Sequence, residues 1–150
     1  MSLDLGRALH TLTARLDRAA DRMLRAEQQV SYRRFLVLFM VEELDTPNQR
    51  TLAERLGITE PSVSRMIGAL VGAGLLDAAP DAAGGNQRRL RLTPDGRELV
   101  GRCCDLLVRR LAALVEASGV PYDIYTGYTL RLLAALDGHD QGATGRRTPD

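Results

Sequence analysis

Four side chains that can hydrogen-bond nucleic acid lie close together in one short stretch of the sequence. They are Thr59, Ser62, Ser64 and Arg65. Hydroxyl groups can bond either base edges or phosphates, and an arginine can bind guanine O6 and N7 through two parallel hydrogen bonds. These residue types at this spacing therefore favour contact with DNA, provided that the chain presents them together on one helix.

The residues around this stretch have the spacing of a helix-turn-helix. Ala53 is small enough for two helix backbones to cross, and Gly57, four residues later, can adopt the left-handed conformation that ends a helix. Thr59 is a good N-cap for the second helix, which we expect to end near Ala73, before Gly74. The shared core is predicted to consist of Leu52, Leu56, Ile58, Val63, Met66 and Ile67.

The first of the two helices is predicted to begin at Thr46, because Thr46 can act as the N-cap, Pro47 suits the first turn and Gln49 can complete a capping box. In a DNA-binding helix-turn-helix the second helix enters the major groove with its N-terminus first. We therefore expect base contacts from its first turns and backbone contacts from the start of the first helix. The predicted DNA-binding residues of the two helices are Gln49, Arg50, Thr51, Thr59, Pro61, Ser62, Ser64 and Arg65.

A two-stranded β-hairpin is predicted directly after the second helix. Its first strand begins at Leu75 and Leu76, and residues 89–93 alternate between arginine on one face and leucine on the other. A helix-turn-helix followed by such a hairpin is a winged helix, and the hairpin, called the wing, can place arginine in the adjacent minor groove. The arginines assigned to the wing are Arg88, Arg89 and Arg91.

Long helices are predicted on both sides of the winged helix. Apolar residues repeat with helical spacing over residues 3–29, and a more apolar helix covers about 32–44. Two more helices are expected at about 94–117 and 122–137, separated by a break at Gly119-Val120-Pro121. The predicted fold class is therefore mainly α: a winged helix-turn-helix with a two-stranded β wing and flanking N- and C-terminal helices.

The domain organisation follows from these elements. A single domain is expected over residues 1–138, with the winged helix at about 46–93. The remaining residues, 139–150, are polar and are predicted to form a disordered tail.

Composition and motif content argue against several other classes of protein. The apolar runs are too short to span a bilayer and no signal peptide is visible, so we expect a cytoplasmic protein with no membrane contact. No motif of a hydrolase, a phosphate-binding loop or a metalloprotease is present, so we expect neither catalysis nor a cofactor. The only histidines, His10 and His139, have no cluster of cysteines or acids at ligand spacing around them, which argues against a metal site.

Four segments also carry a family resemblance. They are Thr51-Leu52-Ala53-Glu54-Arg55-Leu56-Gly57-Ile58, Pro61-Ser62-Val63-Ser64-Arg65, Gly74-Leu75-Leu76 and Arg91-Leu92-Thr93-Pro94-Asp95-Gly96. Through them the sequence resembles the MarR family of bacterial transcriptional regulators over roughly residues 3–137. The resemblance implies a homodimer held together by dimerisation helices at about 3–29 and 94–137. Such a dimer binds a pseudo-palindromic double-stranded DNA operator, usually as a repressor.

The same resemblance implies a small-molecule effector. Many members of the family release DNA when they bind a small, often aromatic or phenolic ligand in a cleft between the dimerisation helices and the winged helix. The residues that we expect to line this cleft are His10, Arg15, Tyr32 and Phe39.

Departures from the family pattern concern the wing. Gly84 and Asn86 stand where the family commonly has an Asp-x-Arg pair, and Asp77 stands where a basic residue often follows Gly-Leu-Leu. Either Arg88 or Arg89 therefore takes over the minor-groove contact, or the wing contributes little. We expect DNA binding that is weaker or more sensitive to salt than that of a typical relative.

Two alternative functions are compatible with the sequence. A winged helix can serve as a protein-interaction module that does not bind DNA. Alternatively, the adjacent residues Cys103 and Cys104 can form a thiol-based redox sensor, because other members of the family respond to oxidation of a cysteine. Core packing is the simpler interpretation of this pair, since only Arg102 beside them in the sequence would lower a thiol pKa.

Overall fold

The computed structural model describes residues 4–80 and 88–144, which form six helices and one two-stranded antiparallel sheet. The elements are α1 (Asp4–Gln28), α2 (Tyr32–Glu43), α3 (Gln49–Leu56), α4 (Glu60–Gly72), β1 (Leu76–Pro80), β2 (Arg88–Leu92), α5 (Pro94–Ser118) and α6 (Tyr122–Thr144). The predicted fold class is confirmed. Contacts divide the chain into two compact units, residues 1–107 and 108–150, so a single domain over 1–138 stays a prediction.

The first unit has an apolar core to which every one of its helices and both strands contribute. The most deeply buried large side chains are Leu24, Leu38, Leu52, Leu70, Leu76 and Leu90. A hydrogen bond joins helices α1 and α2: the backbone N–H of Tyr32 donates to Asp21 Oδ1 at 2.9 Å. Arg25 Nε donates to the other carboxylate oxygen of Asp21 at 2.7 Å. The Arg25 side chain, and after it the Tyr32 N–H, lower the pKa of Asp21.

Helix α3 begins later than the sequence predicts. Its N-cap is Asn48, whose side-chain oxygen accepts from the backbone N–H of Thr51 at 2.9 Å. Thr46 has a φ of 63°, and the carbonyl of Pro47 accepts from the backbone N–H of Leu90 on β2 at 3.0 Å. The prediction that Thr46 and Gln49 cap this helix is therefore wrong, because residues 46–47 pair with the wing instead.

The turn between α3 and α4 follows the sequence prediction. Gly57 is the C-cap of α3 with a φ of 64°, and Thr59 caps α4 by accepting from the backbone N–H of Ser62. Ala53 is buried where the helices meet. Helix α4 ends at Gly72, and Gly74 follows with a φ of 73°. The geometry of this helix pair is therefore determined by local residue choices.

The wing also has the predicted alternation. Strands β1 and β2 pair with Leu76 opposite Leu92 and Ala78 opposite Leu90. Leu90 and Leu92 are buried, whereas the arginines of β2 are exposed. The wing tip, with Gly84 and Asn86, lies outside the described residues.

Thr93 joins the wing to α4 and α5. Its backbone N–H donates to the carbonyl of Leu75 at 3.2 Å. Its hydroxyl donates to the carbonyl of Gly74 at 2.6 Å and accepts from the backbone N–H of Gly96 at 3.0 Å. Two of the family-like segments, Gly74-Leu75-Leu76 and the one ending at Gly96, are thus bonded to each other through one residue.

The second unit is helical and exposes apolar surface. Helix α6 continues to Thr144, so the predictions of a helix end at 137 and a disordered tail from 139 are wrong for residues 139–144. The remainder of the predicted tail, residues 145–150, lies outside the described residues. Exposed apolar side chains of this unit are Val108, Leu111, Leu114, Val120, Tyr122, Ile124, Tyr125, Tyr128, Leu130, Leu132, Leu133 and Leu136.

Gly96→Ala tests the Thr93 junction. A Cβ atom at position 96 would collide with the carbonyl oxygen of Leu75, so we expect the substitution to lower the free energy of unfolding by roughly 1–3 kcal/mol. Gly101→Ala on the same helix is the matched control, because a Cβ atom there has nothing within 4 Å. This alanine should raise the stability by about 0.5–1 kcal/mol. Urea denaturation measures both values, and equal stability of the two variants would contradict the close packing at Gly96.

Candidate nucleic-acid interface

Helix α4 buries one side and exposes the other. Val63, Ile67 and Leu70 face the core. Because residues four apart share a helix face, the exposed side consists of two neighbouring columns. They are Glu60, Ser64 and Gly68 in one column and Pro61, Arg65 and Ala69 in the other. The helix therefore presents polar side chains near its N-terminus and very small ones farther along, which permits close approach of another molecule.

A groove of about 640 Å³ lies beside the first of these columns. It is lined by Asn48, Gln49, Arg50, Glu60, Ser64, Ile67, Gly68, Val71, Ala78, Arg88 and Leu90. The start of α3, the exposed face of α4 and the wing thus form one concave surface. Four predicted DNA-binding residues, Gln49, Arg50, Ser64 and Arg88, are brought together there.

Several predicted DNA-binding residues at the helix starts already have hydrogen-bond partners within the chain. Thr51 Oγ1 donates to Asn48 Oδ1 at 3.0 Å, and Thr59 Oγ1 donates to Ser62 Oγ at 2.9 Å. These hydroxyls stabilise the helix starts. A hydroxyl oxygen has two lone pairs, so it can accept a further hydrogen bond at the same time.

The two polar side chains at the start of α3 have different partners. Gln49 Nε2 donates to the backbone carbonyl of Glu60 at 3.3 Å, which ties the start of α3 to the start of α4. Arg50 forms an exposed ion pair with Glu54, 3.1 Å between Nε and Oε1. An exposed pair of this kind contributes little to stability, about 0.3–0.5 kcal/mol. Arg50 can therefore exchange its partner for a phosphate at little cost.

Arg65 has no such partner. It is exposed in the second turn of α4, and it forms no ion pair or hydrogen bond with any residue that the structure describes. Its five N–H donors are consequently open to solvent or to a ligand. This combination of rigid placement and unused donors is what recognition of a guanine edge needs.

The three wing arginines do not form one cluster. Arg88 lines the groove beside α4. Arg89 donates from Nη1 to the carbonyl of Thr46 at 3.3 Å, and Arg91 lines a separate cleft with Arg97 and the acidic Glu42. Because successive residues of a strand point to opposite faces, β2 directs Arg88 to the α4 side and the other two away from it.

The four residues predicted to line an effector cleft are only partly brought together. Tyr32 and Phe39 both contact the buried ring of Phe35, with centroid distances of 6.1 and 5.8 Å. Burial, and after it the charge of Asp17, raises the pKa of Tyr32. His10 and Arg15 are exposed on α1, and among the described residues no hydrogen bond, ion pair or ring contact joins them to the aromatic pair. Their role stays a prediction.

The two cysteines have environments that disfavour reactive thiolates. Cys103 is fully buried, and burial raises its pKa to about 11, with the neighbouring Cys104 adding to the shift. Cys104 is half-buried, and burial together with the charges of Glu42, Asp105 and Glu43 raises its pKa. Both side chains belong to the apolar core or pack against it. Within the described residues there is no group of three or more His, Cys, Asp or Glu side chains that could hold a metal ion.

Sequence reasoning missed part of the groove lining. Glu60, Gly68, Val71 and Ala78 were not singled out, although Glu60 precedes Ser64 by four residues and Gly68 follows it by four. Helical spacing around Ser64 is the signal that would have found Glu60 and Gly68. Donor content does not reveal Glu60, because an ionised carboxylate has no hydrogen-bond donor.

This architecture is similar to that of proteins of known family and known structure. The chain is a winged-helix protein with long flanking helices, and a model of the MarR family matches its residues 28–85. No curated protein has a matching sequence. Among the residues described, no helix is both long enough and apolar enough to cross a membrane.

Solved structures with the same fold include three regulators. A mutant of MarR from E. coli complexed with operator DNA is 20% identical, with 89% of this chain and 94% of that chain covered and a TM-score of 0.74. MarR from Staphylococcus aureus, in complex with salicylate and kanamycin, is 18% identical, with 95% and 92% covered and a TM-score of 0.78. The PcaV transcriptional regulator from Streptomyces coelicolor, in complex with its natural ligand, is 22% identical, with 91% and 97% covered and a TM-score of 0.67. The resemblance to the MarR family is therefore confirmed, by sequence over residues 28–85 and by fold over most of the chain.

The thiol environments predict low reactivity at neutral pH. With a pKa of about 11, only on the order of one Cys103 in ten thousand is a thiolate at pH 7. Since the raised pKa favours the protonated form, alkylation by iodoacetamide should be slow at pH 7 and accelerate up to about pH 11. Cys104 should react first, because it is partly exposed. Mass spectrometry over time measures both alkylation rates. In a second experiment, rapid oxidation of either thiol by equimolar peroxide at pH 7 would contradict this prediction and support the redox-sensor hypothesis.

Proposed function

We propose that the protein is a DNA-binding transcriptional regulator that recognises a pseudo-palindromic operator through α4. The observation that carries this proposal is Arg65, an exposed arginine in the second turn of α4 that has no partner among the described residues. In a helix-turn-helix the N-terminal part of the second helix contacts base edges in the major groove. The structural similarity to a MarR protein complexed with operator DNA supports DNA as the partner.

The proposed division of roles follows the geometry of the interface. Arg65, Ser62 and Ser64 contact bases. Pro61 and Thr59 lie at the same end of α4, and Gln49, Arg50 and Thr51 hold the DNA backbone from α3. On the wing, Arg88 is best placed to act together with α4, because it lines the same groove. Arg89 and Arg91 lie on the other face of β2. There they contact the phosphate backbone of a DNA duplex that extends to that side of the wing.

We also propose a homodimer. Each compact unit exposes apolar helical surface: Leu5, Leu9 and Leu12 on α1 in the first, and most of α6 in the second. Scattered exposed leucines are normal, but a long helix with no buried side chain among those described is marginal in water on its own. Burial against a second copy would stabilise these helices and would give the two-fold symmetry that a pseudo-palindromic operator requires.

The remaining part of the proposal concerns regulation. The protein acts in the cytoplasm as a repressor that a small aromatic or phenolic molecule releases from DNA, with His10, Arg15, Tyr32 and Phe39 as the candidate cleft. A structure of similar fold in complex with salicylate supports this class of effector, and another in complex with its natural ligand supports ligand binding by this fold. Release requires that the ligand bind the DNA-free conformation more tightly than the DNA-bound one.

Arg65→Ala is the direct test of the α4 assignment. In vitro selection of random duplex DNA with the wild-type protein should enrich a pseudo-palindrome. The variant should lose the preference at one position per half-site and about 1–3 kcal/mol of binding free energy. Arg18→Ala, which removes an exposed arginine from α1, controls for the loss of charge and should leave the selected sequence intact. An unchanged base preference in Arg65→Ala would contradict the proposal that Arg65 on α4 contacts a base.

Leu132→Glu tests the homodimer. Leu132 on α6 is 55% exposed, so a charge there should leave the subunit folded. In a dimer interface the same charge would be buried without a partner, at a cost of several kcal/mol. Light scattering after size exclusion should give twice the subunit mass for the wild type and a lower mass for the variant. Arg131→Glu, at the neighbouring exposed position, is the control. A wild-type protein that is monomeric at micromolar concentration would contradict the proposal.

A further inference from the structure

We propose that Glu60 recognises a cytosine of the operator, its carboxylate accepting a hydrogen bond from the exocyclic N4 amino group. This inference rests on the proposed function and adds to it a second base-recognising residue and the base that this residue selects. It is carried by the position of Glu60, by its missing partners and by the chemistry of a carboxylate close to DNA.

Glu60 occupies a defined position at the leading end of α4. It is the first residue of the helix, directly after the N-cap Thr59. Its backbone carbonyl accepts from Gln49 Nε2 at 3.3 Å, so the start of α4 is held to α3. Its side chain is exposed and lines the groove with Ser64 and Arg88. In a helix that enters the major groove with its N-terminus first, this residue is among the earliest to reach the base edges.

The Glu60 carboxylate has no partner in the part of the chain that the structure describes. Glu60 forms no ion pair or side-chain hydrogen bond with any residue that the structure describes, and Arg50, which lines the same groove, is paired with Glu54 at 3.1 Å. A negative charge in the first turn is favourable for the helix dipole, by about 0.3–1 kcal/mol. That benefit would be about the same for an acid at position 61 or 62, so it does not explain why the acid stands at position 60, which lines the groove.

The chemistry of the major groove then selects the partner. An ionised carboxylate can only accept hydrogen bonds, and phosphates repel it. The major groove offers two amino donors, cytosine N4 and adenine N6, but adenine N6 stands beside the N7 acceptor of the same base, whose lone pair also repels the carboxylate. Guanine presents only acceptors, and thymine presents an acceptor and a methyl group. Cytosine N4 has an acceptor, guanine O6, on one side only, whereas adenine N6 lies between adenine N7 and thymine O4, so cytosine is the base at which the carboxylate meets the least repulsion.

The columns of α4 add a geometric expectation. Glu60 and Arg65 stand on adjacent exposed columns, one turn and a half apart along the helix. A cytosine contacted by Glu60 and a guanine contacted by Arg65 should therefore lie within a few base pairs of each other in each half-site. Glu60 also rejects other bases, because a carboxylate placed against acceptors loses its water without gaining a donor.

The test compares Glu60→Gln with the wild type on the operator obtained by in vitro selection and on versions with single-base changes. The wild type should require one cytosine per half-site, and replacing it by thymine should weaken binding roughly tenfold. Glu60→Gln should bind the cytosine and thymine operators with similar affinity and keep its preference at the guanine assigned to Arg65. Glu54→Gln, which removes an exposed carboxylate that does not line the groove, should alter the affinity for both operators by the same factor.

Each outcome is decisive for one of the two proposals. If Glu60→Gln discriminates cytosine from thymine as strongly as the wild type does, the Glu60 inference is overturned while DNA recognition through Arg65 stands. If the wild-type protein selects no sequence, the proposed function itself fails. Thermal unfolding of Glu60→Gln should match that of the wild type within a few degrees, and this measurement separates a lost base contact from a damaged helix start.

Discussion

The position of the wing relative to α4 depends on the three hydrogen bonds of Thr93. Its hydroxyl and its backbone N–H bond the carbonyls of Gly74 and Leu75, which directly follow α4, while Gly96 in the first turn of α5 donates back to the same hydroxyl. One residue therefore fixes the end of α4, the end of β2 and the start of α5. Gly96 has to be glycine because the Leu75 carbonyl occupies the space of a side chain. This junction therefore ties the strand that carries Arg88 to the end of α4.

Helix α4 meets two demands that use different residues. Its buried side supplies Val63, Ile67 and Leu70 to the core, which makes the helix rigid and fixes its rotation. Rigid placement lowers the entropy lost on binding, so the exposed polar groups need little further ordering when they meet DNA. The small residues Gly68 and Ala69 leave room for a duplex to approach the helix closely. The same fold thus supplies both the position and the accessibility of Arg65 and Glu60.

Local signals in the sequence predicted most of the winged helix, and long-range pairing accounts for the errors. Gly57, Thr59 and the alternation through Leu90 act within a few residues, and the structure confirms them. The predicted start of α3 is wrong because the carbonyl of Pro47 accepts a hydrogen bond from Leu90, which is far away in the sequence. Asn48, which follows Pro47, caps the helix instead. The separation of Arg88 from Arg89 and Arg91 follows from the two-residue period of β2, but only the packing of the wing shows which side faces α4. A pattern of hydrogen-bond donors does not predict Glu60, because an ionised carboxylate carries only acceptors.

The most direct test of the central claim, sequence-specific recognition of DNA through α4, is a fluorescence-anisotropy titration of a selected duplex and a scrambled duplex at several salt concentrations. The account predicts that the selected duplex binds at least about a thousandfold more tightly near physiological salt, with a logarithm of affinity that falls linearly with the logarithm of salt concentration. Equal affinity for the two duplexes, or binding that does not respond to salt, would contradict the account and would favour a winged helix that binds a protein partner.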